Sequence, residues 1–215
     1  MTNFRFALYL AGSLLVGMSA REYARAFTAA RLHDPTPRLW GRLTFNPKVW
    51  FEPFGSGLLP VLILLLWGVG ASFLPPPVAY GKPAPVDPNY FRERTRDTIV
   101  TFLAGPVANL ALAAVGGMAL RAGIVGEAGL LALAFMLANL SLFIFHLVPI
   151  PGMDGARMLA LALPPRAAEI YRNADQYLPL IVLIVLFIFA GPLLSIVNSL
   201  TDSLCSLLSG FSCPP

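Results

Sequence analysis

The sequence predicts an all-α polytopic membrane protein with about four transmembrane helices, a further apolar segment that spans or re-enters, and a short β-prone loop after the first helix. Three observations predict it. Hydrophobic residues make up 57% of the 215-residue chain and charged residues only 12%, against about 25% charged in ordinary soluble domains. The mean hydropathy is +0.71. The apolar residues gather into long stretches, several of them near the roughly 20 residues that cross a hydrocarbon core of about 30 Å.

The first span is expected from about residue 4 to residue 30. Its apolar run, Phe4 to Val16, is long enough for the core of a signal peptide, but it continues into Arg21-Glu22-Tyr23-Ala24-Arg25 without a convincing cleavage site, so a retained span is expected. Residues 31–55 contain four prolines and short β-prone pieces such as Leu43-Thr44-Phe45, which suit a hairpin or loop. Residues 56–74 are apolar, with Pro60 inside and three prolines after; this stretch either crosses or returns to its starting face. A polar loop over 75–97 leads to an apolar helix over 98–120, opening with Ala104-Gly105-Pro106-Val107-Ala108-Asn109. Small residues there suit close packing on a neighbouring helix, or a cleft for a substrate helix. Another span covers 129–148 and stops at Pro149 and Pro151, which present Asp154 at the membrane boundary. A polar segment over 157–176 precedes a last span over about 177–198 and a short tail. Residues 1–215 thus form a single membrane domain, with a core over about 4–163 and one extra C-terminal span.

The net charge of +4 comes from 15 Lys and Arg scattered through short loops, which excludes the basic stripe of a nucleic-acid binder. Cys205 and Cys213 are the only cysteines. They allow one local disulfide, or two unpaired thiols, and no cysteine-based metal framework.

Charges inside a span cost about 2.5 to 3.5 kcal/mol each on insertion scales, so Arg21, Glu22 and Arg25 need a reason. Snorkelling to the interface is one. The spacing suggests another: positions i and i+4 share a helix face, and two histidines there around a glutamate would make the zinc site H-E-x-x-H. Here both flanking residues are arginine. A guanidinium has donors and no lone pair, so neither Arg21 nor Arg25 ligates a metal ion.

From Ala20 to about Leu159 the sequence resembles the site-2 protease family of intramembrane zinc metalloproteases. Six ordered motifs carry the resemblance: REYARA at 21–26, HDPT at 33–36, GRLTFNP at 41–47, KPAPV at 82–86, AGPVAN at 104–109 and HLVPIPGMDGAR at 146–157. The resemblance implies Glu22 at the general-base position and Asp154 at the third metal-ligand position, with Arg21 and Arg25 in place of both ligand histidines. Trp50 and His146 also stand where relatives commonly carry histidine and asparagine. Two arginines facing Asp154 and Glu22 sum to zero charge, as two neutral histidines, zinc and the same carboxylates would, so an internal ion-pair network is expected in place of the metal. His146 with Glu22 and Asp154 is an alternative ligand set; as a lone histidine before a proline turn it also reads as a packing residue. His33 reads as a loop residue.

The family cofactor is zinc, and none is expected to bind here. The leading expectation is a catalytically inactive relative that binds transmembrane segments of other membrane proteins. The alternatives are an active protease with an altered metal site, and a scaffold or ion or proton pathway using the buried charges. Expected partners are membrane lipid and transmembrane segments, with no nucleic acid. The span count adds a topology: if residues 56–74 cross, the loop Lys and Arg divide 8 against 5, whereas if they re-enter the division is 11 against 2, with only Arg5 and Arg121 on the minority side. The positive-inside rule favours the second, which puts the site near the cytoplasmic face of the cell membrane and both termini outside.

Overall fold

A computed structural model describes residues 2–68, 77–187 and 190–210. Among these the chain is helical and contains no strand. Three long helices make the centre: α1 (Thr2–Arg31), followed after the intervening short elements by two that prove to be the fifth and sixth in chain order. Between them lie α2 (Thr36–Leu39), α3 (Pro47–Trp50), a π-helical turn (Pro53–Leu58) and α4 (Leu59–Gly68). Then come α5 (Arg94–Arg121), α6 (Gly126–Leu147), α7 (Asp154–Leu159), α8 (Pro165–Asn173), α9 (Leu178–Phe187) and α10 (Ala190–Ser209).

Helices α1 and α6 run parallel and pack on each other, with α5 antiparallel and packed against both. At one end Tyr9 donates to Glu127 at 2.9 Å, and Arg5 pairs with the same carboxylate. Further down, Leu10 and Leu14 pack on Ala134, Ala138 and Leu142. In the middle the Asn109 side-chain amide donates to the Gly17 carbonyl at 3.1 Å and to Asn139 Oδ1 at 3.0 Å. Gly17 is what permits this approach: a Cβ there would lie 2.6 Å from Asn139 Oδ1 and 2.8 Å from Leu142. In a membrane, where apolar side chains gain little by leaving lipid, such small-residue seams and interhelical hydrogen bonds hold helices together.

Helices α5 and α6 are each long and apolar enough to cross a membrane. Helix α1 has the length, but Arg5, Arg21, Glu22, Arg25 and Arg31 interrupt its apolar character. The last helical stretch differs from the expected span over 177–198. Residues 188 and 189 lie outside the described residues, and α10 continues to Ser209, well beyond the expected end. The reason is a continuing apolar stripe: Leu204, Cys205 and Leu208 pack on Ala113, Met136 and Leu140 of α5 and α6. Helix α9 begins beside Gly152, with Leu178 against it, and α10 ends where the Arg121 guanidinium bonds the Leu207 carbonyl. The start of α9 and the end of α10 therefore lie at opposite ends of α5. Cys205 is disulfide-bonded; Cys213 lies outside the described residues.

The β-prone loop forms no strand. Leu43-Thr44-Phe45 form a bend that pairs with no neighbouring strand; the Thr44 carbonyl accepts instead from the Trp50 indole at 3.0 Å, and Asn46 then caps α3 by accepting from the Lys48 N–H at 3.1 Å. The apolar stretch 56–74 is described only to residue 68, yet its ends are fixed by backbone pairing. The Tyr80 N–H donates to the Gly55 carbonyl at 3.1 Å, and the Lys82 N–H to the Trp50 carbonyl at 2.9 Å. Leu64 meanwhile reaches the Leu10 and Leu14 cluster halfway along α1. Residues 55 and 80 thus lie side by side, and α4 runs beside α1.

Candidate functional site

The charged end of α1, the start of α7 and the loop after residue 80 converge below the α1–α5–α6 seam. Residues 21 and 25 stack on one helical face, since i and i+4 lie one above the other, and residue 22 projects about 100° round from residue 21. Asp154 reaches them because α6 ends at Pro149 and Pro151. The chain then turns through Gly152, whose φ of +90° suits glycine, and α7 starts at Asp154. Pro149 is exposed and its carbonyl accepts from the Tyr171 hydroxyl, while Pro151 is half-buried. These prolines shape the turn and do not touch the charged cluster through any polar contact.

Arg21, Glu22, Arg25 and Asp154 are all at most 2% exposed. Arg21 donates through Nη1 to Glu22 and through Nη2 to Asp154 Oδ2. Arg25 donates through Nη2 to Asp154 Oδ1 at 2.6 Å, and its Nη1 lies 3.3 Å from Glu22 Oε2. Each carboxylate is bracketed by both guanidinium groups. The four formal charges cancel, which is the condition for holding them away from water. A fifth contact was not legible in the sequence: the Ala84 N–H donates to Glu22 Oε2 at 2.9 Å, bringing the KPAPV segment over the cluster.

Aromatic faces complete the surroundings. The Phe102 ring has the Arg25 guanidinium 5.4 Å from its centre and that of Arg157 at 5.5 Å, distances at which a cation is drawn to the ring quadrupole. Gly105 sits one turn along α5, where a Cβ would lie 2.9 Å from Arg21 Cγ. Gly105, Pro106 and Asn109 are therefore buried in the helix seam, with Asn109 committed to its two hydrogen bonds. Trp50 is fully buried; its indole N–H donates to the Thr44 carbonyl at 3.0 Å, and Arg42 covers its face at 5.2 Å. His33 is exposed, in the turn after α1, with a φ of 76°.

His146 is 1% exposed and lines, with Arg21, Glu22 and Arg25, a cavity of about 220 Å³. Its Nδ1 is 2.8 Å from the Leu142 carbonyl oxygen, which only accepts, so Nδ1 carries the proton. Nε2 is buried without a partner. A single imidazole nitrogen is the one uncommitted metal donor at the site, because the carboxylate oxygens are taken by guanidinium groups. Among the described residues no three His, Cys, Asp or Glu side chains form a group able to hold a metal ion.

No protein-family model and no solved structure matches the chain. Curated relatives do. The chain is 31% identical to the "Putative zinc metalloprotease YwhC" of Bacillus subtilis over 221 aligned positions, covering 96% of this chain and 93% of the relative. It is 35% identical to the "Putative zinc metalloprotease Rip2" of Mycobacterium tuberculosis over 188 positions, 85% of this chain and 67% of the relative. The protein of the same name from Mycolicibacterium smegmatis is 33% identical over 186 positions. With relatives so named matching along nearly its whole length and two helices apolar enough to cross a bilayer, the chain is a membrane protein and belongs to the zinc metalloprotease family of YwhC and Rip2, the site-2 protease family.

Proposed function

We propose that this chain is a member of the family that no longer cleaves peptide bonds and instead binds transmembrane segments of other membrane proteins. One observation carries the reading: both carboxylates at the family's catalytic positions, Glu22 and Asp154, are committed to Arg21 and Arg25. General-base catalysis by a glutamate needs a Lewis acid to bring the pKa of water from about 15.7 towards 7. The donors present do not fit a zinc ion, since two of the three family ligand positions hold guanidinium groups. The ion pairs fill the charge balance that the metal would otherwise supply.

The same reading gives four crossings, formed by α1, α5, α6 and residues 178–209, with residues 56–80 as a re-entrant hairpin. Supporting it are the pairing of Tyr80 with Gly55 and the arrangement of the arginines. Arg5 and Arg121 lie at one end of the bundle, and Arg31, Arg94, Arg157 and the site at the other. The positive-inside rule makes the second end cytoplasmic.

The test is metal content and peptidase activity of purified protein, alone and as the R21H/R25H double variant. Zinc at one equivalent in the variant only, with no peptidase activity in the unaltered chain, is the expected result. Zinc at one equivalent in the unaltered chain, lost on His146→Ala, would instead establish an active enzyme with an altered metal site.

A further inference from the structure

Beside the ion-pair cluster, α5, α7 and α8 line a second cavity of about 370 Å³, which adjoins the cavity at the cluster through Arg157 and Asp175. Three guanidinium groups line it, those of Arg94, Arg157 and Arg172, against one carboxylate, Asp175. Asp175 is bound to Arg157 at 3.1 Å. Arg94 and Arg172 are exposed at the mouth of the cavity and have no ion-pair partner among the described residues, whereas the equally exposed Arg96 pairs with Glu93 nearby. The cavity thus carries two uncompensated positive charges. Its remaining walls include Val86, Phe102 and Leu161, so it is apolar on the side towards the helix bundle.

Arg157 is itself under-compensated. Its Nε is buried without a partner, and burial, then the neighbouring Arg25, push its guanidinium below the ordinary arginine value, against the opposing pull of Asp175, Asp154 and Glu22. An anion placed among the three guanidinium groups would relieve that repulsion. Planar guanidinium forks match phosphate oxygens in pairs, which is why arginine recurs where phosphate is bound. The cavity lies alongside the first turns of α5, below the point where that helix becomes apolar, which is the depth of a lipid headgroup if α5 crosses the bilayer.

We propose that this cavity is a binding site for a phosphate-bearing anion, with Arg94, Arg157 and Arg172 as its ligands. The site is distinct from the ion-pair cluster and does not depend on whether that cluster replaces a metal. The apolar wall accepts the upper part of an acyl chain when the phosphate belongs to an anionic lipid; a free phosphate uses the guanidinium groups alone.

The test uses the full chain in dodecylmaltoside micelles, with binding read by native mass spectrometry and by titration. The probes are dioctanoylphosphatidylglycerol, its phosphate-free counterpart dioctanoylglycerol, and inorganic phosphate as competitor. Phosphatidylglycerol is expected to bind and dioctanoylglycerol not. Affinity should fall about tenfold for each guanidinium removed in R94Q and R172Q, as loss of a charge-assisted hydrogen bond implies. R92Q/R96Q, which changes two arginines as exposed as Arg94 and Arg172 but outside the cavity, should bind as the unaltered chain does and controls for surface charge. Displacement by inorganic phosphate identifies a soluble ligand, and its failure to displace identifies the lipid. Equal binding by R94Q/R172Q and the unaltered chain, at unchanged unfolding temperature, would overturn the proposal, as would equal binding of dioctanoylglycerol.

Discussion

Arg21 holds two carboxylates at once, and that decides what its removal costs. In Arg21→Ala, Glu22 keeps Arg25 and the Ala84 N–H, but Asp154 keeps only Arg25, and the buried cluster acquires a net negative charge. Stranding a buried charge typically costs about 3 to 5 kcal/mol. Arg157→Ala breaks a single pair whose side chains are about one-third exposed, for which about 1 kcal/mol or less is expected. Denaturant unfolding in detergent compares the two, and equal losses would mean that the cluster adds nothing as a network. The i, i+4 spacing put Arg21 and Arg25 on one face, but it was the family resemblance that set Asp154 opposite them and so made the ion-pair network an expectation. The Ala84 contact and the Phe102 ring were not legible in the sequence, because a backbone N–H has no sequence signature and a phenylalanine in an apolar helix looks like any other.

The returning segment around α4 depends on one close backbone approach. A Cβ on Gly55 would lie 2.5 Å from the Tyr80 carbonyl oxygen, and that oxygen also accepts from the Ser56 hydroxyl at 2.9 Å, so it cannot move freely. Gly55→Ala should therefore destabilise by about 1 to 3 kcal/mol, the usual cost of overpacking. Gly12→Ala is the counterpart: it lies inside α1 with nothing within 4 Å of the new Cβ, so helix propensity alone should make it neutral or stabilising by up to about 1 kcal/mol. Thermal unfolding of both variants checks the contrast, and a tolerated Gly55→Ala would mean that the hairpin's closure carries no stability. Composition distinguished an apolar segment here but not its direction, since Pro60 and the glycines fit a kinked crossing as well as a return. What the sequence hid was the pairing of residue 55 with residue 80, a long-range contact. In the loop before it, residues 43–45 stay out of any strand, and short helices at 36–39 and 47–50 flank them, which the β-prone composition did not indicate.

Across the whole bundle, the arrangement of charge at the two ends is the property that a membrane reads. The sequence supplied the list of arginines, but their assignment to ends depended on one ambiguous stretch, and a wrong choice there would invert everything before it. With residue 80 paired to residue 55, Arg5, Arg121 and the α10 end share one end of the molecule, while Arg31, Lys82, Arg92 and Arg157 share the other. Single cysteines placed on a background with Cys205 and Cys213 replaced by serine make this measurable. Ala122→Cys, exposed in the turn between α5 and α6, should react with a membrane-impermeant maleimide added outside intact cells. Arg38→Cys and Arg92→Cys, exposed before and after the hairpin, should both react only after the membrane is opened. A crossing at 56–74 would place these two positions on opposite sides, so one would label from outside. The paired behaviour of residues 38 and 92 is therefore the discriminating observation, because it tests the return of the chain without relying on the charge rule that motivated it.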